Sequence, residues 1–292
     1  MKISEGYMPF LKYQTYYRIV GENNSLKAPL LLIHGGPGSS HNYFEVLDDY
    51  SKTGRQLIMY DQIGCGKSSI PEDETIYVKE TWINELIALR DYLQLDQVHI
   101  VGQSWGGMLS LSYLSEFHAT GIKSLMTNGA AASIKLWNQE QQRLMKYLSY
   151  EDQIAIKEAE KSQDFDNVKY LAACDRFLRK FCGDGVSKDL PESLQRPTNG
   201  ERVGLVTGGE DMFNEDGTIS DFEITDQLSK IKTPVLITSG TDDFCTPLIS
   251  KSIYDQIPNA KWHLFNNSRH LAFLDQPDEF INVLDQWLKD ND

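Results

Sequence analysis

The sequence has few cysteines and no long hydrophobic run. Its four cysteines are scattered over 292 residues, so they form no disulfide framework, and their spacing matches no zinc ribbon or Cys-x-x-Cys redox pair. No stretch approaches the ~18 apolar residues of a membrane span, and the first residues lack the apolar core of a signal peptide. We therefore expect a cytoplasmic protein with reduced thiols and no membrane association.

Basic side chains are also in deficit. The chain has 28 lysines and arginines against 42 aspartates and glutamates, which gives a formal charge of −14. Such a charge repels phosphate backbones and anionic lipids, so we expect no nucleic-acid or membrane partner. Small neutral or cationic ligands are compatible with this negative charge. No feature of the sequence specifies an oligomeric partner.

Short apolar runs followed by glycine or an acid indicate buried parallel strands. Residues 30–33, 56–60 and 98–101 are of this kind, and between the last two lies a helical pattern over 81–95. A strand, a helix and a further strand imply a right-handed crossover and a parallel sheet. The same alternation returns in the last 60 to 70 residues, from about position 226. These segments predict an α/β fold with a mostly parallel sheet flanked by helices.

The middle of the chain has a different pattern. Residues 129–225 are mostly helical and contain no convincing buried strand, which predicts an inserted helical cap. Ser149 with Asp152 suggests a capping box, and Asp166 suggests the start of another helix. We therefore expect a core formed by residues 1–128 and 226–292, with the cap over 129–225.

Ser104 is the candidate nucleophile. It lies in a Gly-x-Ser-x-Gly pattern over residues 102–106, which is typical of a nucleophile elbow. The predicted strand 98–101 runs directly into this pattern and a helical segment follows it, as the elbow requires. Glycines are needed on both sides because larger side chains would clash in so sharp a turn. The alternative is a structural serine in a tight turn.

A nucleophilic serine needs a general base, and the sequence offers six histidines. His270 follows the last predicted strand in a short loop, where its side chain can reach over the carboxyl edge of the sheet. Enzyme sites in open parallel sheets lie at that edge, so we predict His270 as the base. Packing, backbone or helix-end positions are expected for the other histidines: His34, His41, His99, His118 and His263.

The remaining parts of a serine hydrolase site have candidates as well. The orienting acid should follow the strand at 234–238, where Asp242 and Asp243 both qualify and their spacing leaves the choice open. Backbone N–H groups of Gly36 and Trp105 are the candidate donors of an oxyanion hole. Residues 61–68 lack the first glycine of a phosphate-binding loop, and no His-Glu-x-x-His spacing occurs. We therefore expect no cofactor and no metal.

Taken together, these motifs resemble the proline iminopeptidase family of α/β hydrolases. The resemblance is carried by His-Gly-Gly-Pro-Gly at 34–38, Asp-Gln-Ile-Gly-Cys-Gly-Lys-Ser at 61–68, Gly-Gln-Ser-Trp-Gly-Gly at 102–107 and the segment 239–247. It extends over nearly the whole chain, with the cap loosely matched. The resemblance implies the α/β-hydrolase fold and selects Asp243 as the acid. It also implies release of an amino-terminal residue, preferentially proline, from short peptides through an acyl-enzyme.

The cap departs from the family pattern at one position. The family binds the substrate amine with glutamates, one of them in a Gly-Pro-Asn-Glu-aromatic segment, and residues 209–213 are the matching stretch expected here. Met212 then occupies the place of the glutamate, and Glu210 becomes the candidate for substrate binding. With relaxed amine recognition, the same triad would serve a Pro-x dipeptidase, an amino-acid amidase or a small-ester hydrolase. A catalytically silent binding protein is disfavoured by the complete set of Ser104, Asp243 and His270.

Overall fold

The computed structural model describes residues 1–24, 26–117, 119–185 and 190–292. The described residues contain a central sheet of eight strands, whose order is β1-β2-β4-β3-β5-β6-β7-β8. The strands are β1 Ile3–Phe10, β2 Tyr13–Val20, β3 Leu30–Ile33, β4 Leu57–Tyr60, β5 Val98–Gln103, β6 Ile122–Asn128, β7 Val235–Gly240 and β8 Lys261–Phe265.

The sheet is mostly parallel. Strands β3 to β8 pair in parallel, whereas β1 and β2 form an antiparallel hairpin that joins the sheet at β4. Every residue of β3, β4, β5 and β7 is buried because helices cover both faces, which explains their continuous apolar runs. The fold class predicted from the sequence is therefore confirmed.

Helices connect the parallel strands and form the middle of the chain. The α-helices are α1 Lys79–Tyr92, α2 Trp105–Ser115, α3 Ile134–Met145, α4 Tyr150–Ser162, α5 Val168–Phe181, α6 Glu192–Gln195, α7 Glu201–Gly208, α8 Pro247–Tyr254, α9 Ala272–Asp275 and α10 Pro277–Asp290. The 3-10 helices are His41–Thr53, Glu74–Ile76 and Thr225–Lys230. Among the described residues, no helix combines the length and apolar composition that a membrane crossing needs.

Helices α3 to α7 lie between β6 and β7, where the cap was expected. Side chains from α3, α4 and α5 share a separate hydrophobic cluster, which includes Leu144, Ile156 and Phe177. The ends of the inserted segment pack differently, because Ala130 and Phe222 belong to the main core beside the sheet. Both ends of the inserted segment thus contribute to the main core, and the domain boundaries at 129 and 225 stay a prediction.

The carboxyl edge of the parallel strands carries the candidate site. Strand β3 leads into residues 34–38, which we call the glycine loop, and β5 leads into Ser104. Strands β7 and β8 lead into the segments that contain Asp243 and His270. In open α/β sheets, ligands bind outside this edge.

Candidate active site

Ser104 occupies a strained turn between β5 and α2. Its backbone has a φ of 54° and a ψ of −120°, a conformation that non-glycine residues rarely adopt. The turn is tight because a Cβ on Gly106 would lie 2.0 Å from the carbonyl oxygen of Ile33, and one on Gly102 would lie 2.6 Å from the carbonyl oxygen of Gly106. Only glycine fits at both positions, as expected for a nucleophile elbow.

His270 and Asp243 form a buried pair. The Nδ1 atom of His270 lies 2.7 Å from Oδ1 of Asp243, which also accepts a hydrogen bond from the amide of Cys245 at 2.7 Å. The Nε2 atom of His270 is buried and makes no hydrogen bond within the described ranges, so it is available to Ser104. Asp242 is exposed and accepts a hydrogen bond from the hydroxyl of Thr241. Contact with His270 thus distinguishes the two aspartates that the spacing left open.

Asn128, at the end of β6, connects the serine turn with the histidine loop. Its carbonyl oxygen accepts a hydrogen bond from the amide of Ser104 at 2.8 Å. Its side-chain amide donates to the carbonyl oxygen of His270 at 2.9 Å. Gly129 comes next, and a Cβ there would lie 2.6 Å from Nδ1 of His270. These contacts of Asn128 and Gly129 hold the Ser104 turn and the His270 loop next to each other.

The glycine loop approaches the serine closely. Gly36 has a φ of +110°, which favours glycine, and a Cβ on Gly35 would lie 2.9 Å from Cβ of Ser104. The amide of Gly35 donates a hydrogen bond to the Tyr43 hydroxyl at 2.5 Å, so Gly36 is the better oxyanion donor of the two. Trp105 is the first residue of α2, and an N–H group at this position has no partner within the helix.

A small cavity of about 100 Å³ lies beside Ser104. Most of its lining residues have apolar side chains, and they come from both the core and the cap. The lining residues are Gly36, Pro37, Ser104, Met108, Gly129, Ala131, Ile134, Trp137, Glu215, Ile219 and Phe244. Phe244 also packs edge-on against the His270 ring, at a centroid distance of 4.3 Å. The cavity can therefore hold a compact apolar group next to the serine.

Glu215 brings a carboxylate into this apolar cavity. Asn138 holds its backbone, accepting from the Glu215 amide at 3.0 Å and donating to the Glu215 carbonyl at 3.1 Å. Burial raises the pKa of Glu215 to about 7. The Trp137 indole N–H opposes this rise, although its geometry falls short of a hydrogen bond. An acid in such surroundings suits a ligand that brings a positive charge.

The structure does not bring Glu210 to the site. Glu210 is exposed and lines a separate surface pocket with Met212, on the side of the cap where Tyr170 and Cys174 lie. Glu215, rather than Glu210, lines the cavity beside Ser104, and it becomes the candidate for binding the substrate amine. A signal was available, because Asn214-Glu215 repeats the Asn-Glu of the family segment when the match is moved three residues along the chain.

Three other described histidines have partners away from the Ser104 cavity. The ring of His41 contacts Asp61 and Glu45, that of His99 contacts Ser124, and that of His263 contacts Glu279. His118 lies outside the described residues. Within those described, no three His, Cys, Asp or Glu side chains are grouped so that they could hold a metal ion.

Comparisons with known proteins agree with this architecture. Residues 28–277 match the pattern of the alpha/beta hydrolase fold. A proline iminopeptidase of Lacticaseibacillus rhamnosus (strain Lc 705) is 68% identical over 292 residues, with 100% of both chains covered. The crystal structure of VinJ has a TM-score of 0.92 at 29% identity and covers 99% of both chains. The proline iminopeptidase of Mycobacterium smegmatis has a TM-score of 0.88 at 29% identity, covering 99% of this chain and 98% of the other.

These similarities extend over the core and the cap alike. The chain belongs to the α/β hydrolases and, within them, to the proline iminopeptidase family. The family resemblance predicted from the motifs is therefore confirmed.

Proposed function

We propose that the protein is a serine aminopeptidase that releases an amino-terminal residue, proline by preference, from short peptides. The observation that carries this proposal is the carboxylate of Glu215 in the small apolar cavity beside Ser104. A cavity of about 100 Å³ suits a compact ring better than a long side chain. The similarity to the Lacticaseibacillus rhamnosus proline iminopeptidase supports the same substrate class.

In the first half of the reaction, the Ser104 hydroxyl attacks the carbonyl carbon of the terminal residue. Nε2 of His270 accepts the hydroxyl proton, and Asp243 holds the ring through Nδ1 and stabilises the imidazolium that forms. The tetrahedral oxyanion accepts hydrogen bonds from the backbone N–H groups of Gly36 and Trp105. When the peptide C–N bond breaks, His270 returns the proton to the leaving amine, and an acyl-enzyme remains on Ser104.

In the second half, a water molecule repeats the attack on the acyl carbon. His270 accepts a proton from this water, and the same two N–H groups stabilise the second oxyanion. The proton then passes to the Ser104 oxygen as the ester bond breaks. The free amino acid leaves, and Ser104 is restored.

In this proposal, Glu215 selects substrates that carry a free terminal amine. The protonated imino group of an amino-terminal proline would donate a hydrogen bond to the Glu215 carboxylate, while its ring packs against Trp137 and Phe244. A hydrogen bond to a charged group contributes about 1.5–3 kcal/mol, or roughly a 10- to 150-fold effect on kcat/KM. An acylated nitrogen carries no charge and loses this contribution.

The test compares kcat/KM for a prolyl anilide with kcat/KM for the same compound acetylated on its nitrogen. We expect a ratio of about 100 or more in the native enzyme, and a fall of roughly 10- to 150-fold in that ratio for Glu215→Gln. Glu210→Gln is the matched control and should leave the ratio unchanged, because Glu210 is exposed and far from the cavity lining. Ser104→Ala should abolish turnover of both compounds.

Other outcomes would redirect the proposal. A ratio near one, with turnover intact, would identify a Pro-x dipeptidase, an amidase or a small-ester hydrolase that uses the same three residues. A well-folded native protein without turnover of any acyl substrate would instead identify a binding protein.

A further inference from the structure

We propose that Gln62 is a positioning residue that aligns the two N–H groups of the oxyanion hole. This inference rests on the proposed function. Gln62 lies two residues after β4, and only 1% of its surface is exposed. It is absent from the lining of the Ser104 cavity, so it acts through other residues. Its side chain links the glycine loop to the first residue of α2.

The side-chain amide of Gln62 bonds to both of these parts, and its Nε2 also lies 3.2 Å from Nδ1 of His34. Its Nε2 donates to the carbonyl oxygen of His34 at 2.8 Å, and its Oε1 accepts from the indole Nε1 of Trp105 at 3.0 Å. A carbonyl only accepts and an indole N–H only donates, so a single orientation of the amide satisfies both partners. The distance between the glycine loop and Trp105 is therefore set by one rigid planar group.

The backbone of Gln62 determines the tautomer of His34. The Gln62 amide donates to Nε2 of His34 at 2.9 Å, so this nitrogen carries no proton. Burial lowers the pKa of His34 to about 4, despite the opposing charge of Asp61, and the ring is neutral near pH 7. Its single proton therefore lies on Nδ1, which donates to the carbonyl oxygen of Gly35 at 2.9 Å.

This last hydrogen bond orients one oxyanion donor directly. The carbonyl of Gly35 and the N–H of Gly36 belong to the same planar peptide unit, so holding the carbonyl oxygen also sets the direction of the N–H group. The backbone of Gln62 thus acts on Gly36 through His34, while its side chain acts on Trp105. Both donors depend on a residue that does not touch the substrate.

Misplacing preorganised donors raises the energy of the transition state more than that of the bound substrate. Gln62→Met keeps a side chain of similar length and removes both side-chain hydrogen bonds. We expect kcat for a prolyl anilide to fall about 30- to 100-fold, since a displacement of ~1 Å can cost ~100-fold, while KM changes less than about threefold.

A second readout distinguishes positioning from general destabilisation. A prolyl boronic acid forms a tetrahedral adduct with Ser104 and places an oxygen in the oxyanion hole. Its inhibition constant should rise by the same factor by which kcat/KM falls, whereas the inhibition constant of free proline should stay unchanged. Ser124→Ala removes a buried hydrogen bond to His99 elsewhere in the sheet, and it should alter neither kcat nor boronate affinity.

The possible results distinguish a positioning role of Gln62 from its absence. If Gln62→Met leaves kcat within about threefold, or weakens proline and the boronate equally, the positioning role is wrong. Should that variant not fold, Trp105→Phe removes the indole donor together with part of the buried ring and keeps the backbone N–H, and about a tenfold fall in kcat with matching loss of boronate affinity is then expected. Absence of turnover by the native enzyme would overturn the proposed function itself, which is a different result.

Discussion

At the residue scale, the site combines a buried aspartate–histidine pair with one acid, Glu215, that has no basic partner among the described residues. The carboxylate of Asp243 is held by His270 and by the amide of Cys245. Glu215 instead lies among apolar walls, and its pKa rises to about 7 because burial disfavours the charged form. Amine recognition should therefore depend on pH near neutrality.

We predict that the preference for a free substrate amine increases as the pH rises through 7. A carboxyl with a pKa of about 7 is ~10% ionised at pH 6 and ~90% at pH 8, and only the ionised form attracts a cation. The substrate amine, with a pKa of about 8, keeps only about half of its charge at pH 8, so the ratio of kcat/KM for free and acetylated prolyl anilides should rise about fivefold between these values. Effects of pH on the catalytic steps that both substrates share cancel in this ratio.

Glu215→Gln provides the comparison, since its side chain does not ionise. The ratio should then be small and flat from pH 6 to pH 8. A native enzyme whose ratio also stays flat would assign amine recognition to another group.

At the element scale, the cap holds the glycine loop from outside. The cap segment before α7 lies across two core loops, where the amide of Gly66 donates to the carbonyl of Thr198 at 2.5 Å and the Asn199 side chain donates to the carbonyl of Gly66 at 3.0 Å. Gly200 and Gly38 then touch backbone to backbone, with no space for a side chain between them. The cap therefore supports the glycine loop and also lines part of the cavity.

Two glycines of this region give opposite predictions. A Cβ on Gly200 would lie 2.0 Å from the carbonyl oxygen of Gly38, so Gly200→Ala must displace the glycine loop. We expect a destabilisation of about 1–3 kcal/mol together with a clear loss of kcat. In Gly204→Ala the new methyl would meet its nearest neighbour, the Pro37 carbonyl oxygen, at 3.6 Å. Because Gly204 is inside a helix, this change should stabilise by about 0.4–1 kcal/mol and keep activity.

Urea denaturation and prolyl anilide kinetics on both variants test this pair. Equal effects of the two substitutions on stability and kcat would show that the Gly38 contact does not support the loop.

The helical elements also illustrate how far local patterns predict structure. Ser149 accepts a hydrogen bond from the amide of Asp152, as its capping pattern predicts. The next helix was expected to start from Asp166, but its cap is Asn167, which accepts from the amide of Lys169. Aspartate and asparagine both cap helix N-termini well, so the sequence does not decide between these two neighbours. The packing of α5 in the hydrophobic cluster that it shares with α3 and α4 decides it.

At the scale of the whole molecule, a buried arginine ties distant parts of the core together. Arg55 is 2% exposed, and it contacts both carboxylate oxygens of Asp292 at 2.9 and 2.7 Å. Asp292 also lies 3.3 Å from Nε2 of His99 in β5. These contacts join the end of α10 to the loop before β4 and to the middle of the sheet.

We predict that Asp292→Asn lowers the free energy of unfolding by about 2 kcal/mol. Breaking a fully buried ion pair costs about 3–5 kcal/mol, and the 29% exposure of the Asp292 side chain reduces this cost. Asp290→Asn is the control, because its pair with Lys261 is exposed and should contribute less than about 1 kcal/mol. If urea denaturation finds the two variants equally stable, the Arg55 contact does not hold the fold together.

Local patterns by themselves determined much of this protein. Apolar runs identified the buried parallel strands, because strands covered on both faces need apolar side chains at every position. The elbow at Ser104 was predictable for a similar reason, since the strained turn accepts only glycine at positions 102 and 106. In both cases the physical requirement lies within a few consecutive residues, so the sequence records it directly.

Tertiary structure alone decided the remaining questions. Asp242 and Asp243 are adjacent in sequence and their spacing leaves the choice open, whereas in the structure Asp243 contacts His270. Residues 210 and 215 are both glutamates of one cap loop, yet Glu215 lines the Ser104 cavity and Glu210 faces solvent. Which acid meets a distant residue depends on how separate segments pack in space, and the spacing of residues along the chain does not determine that packing.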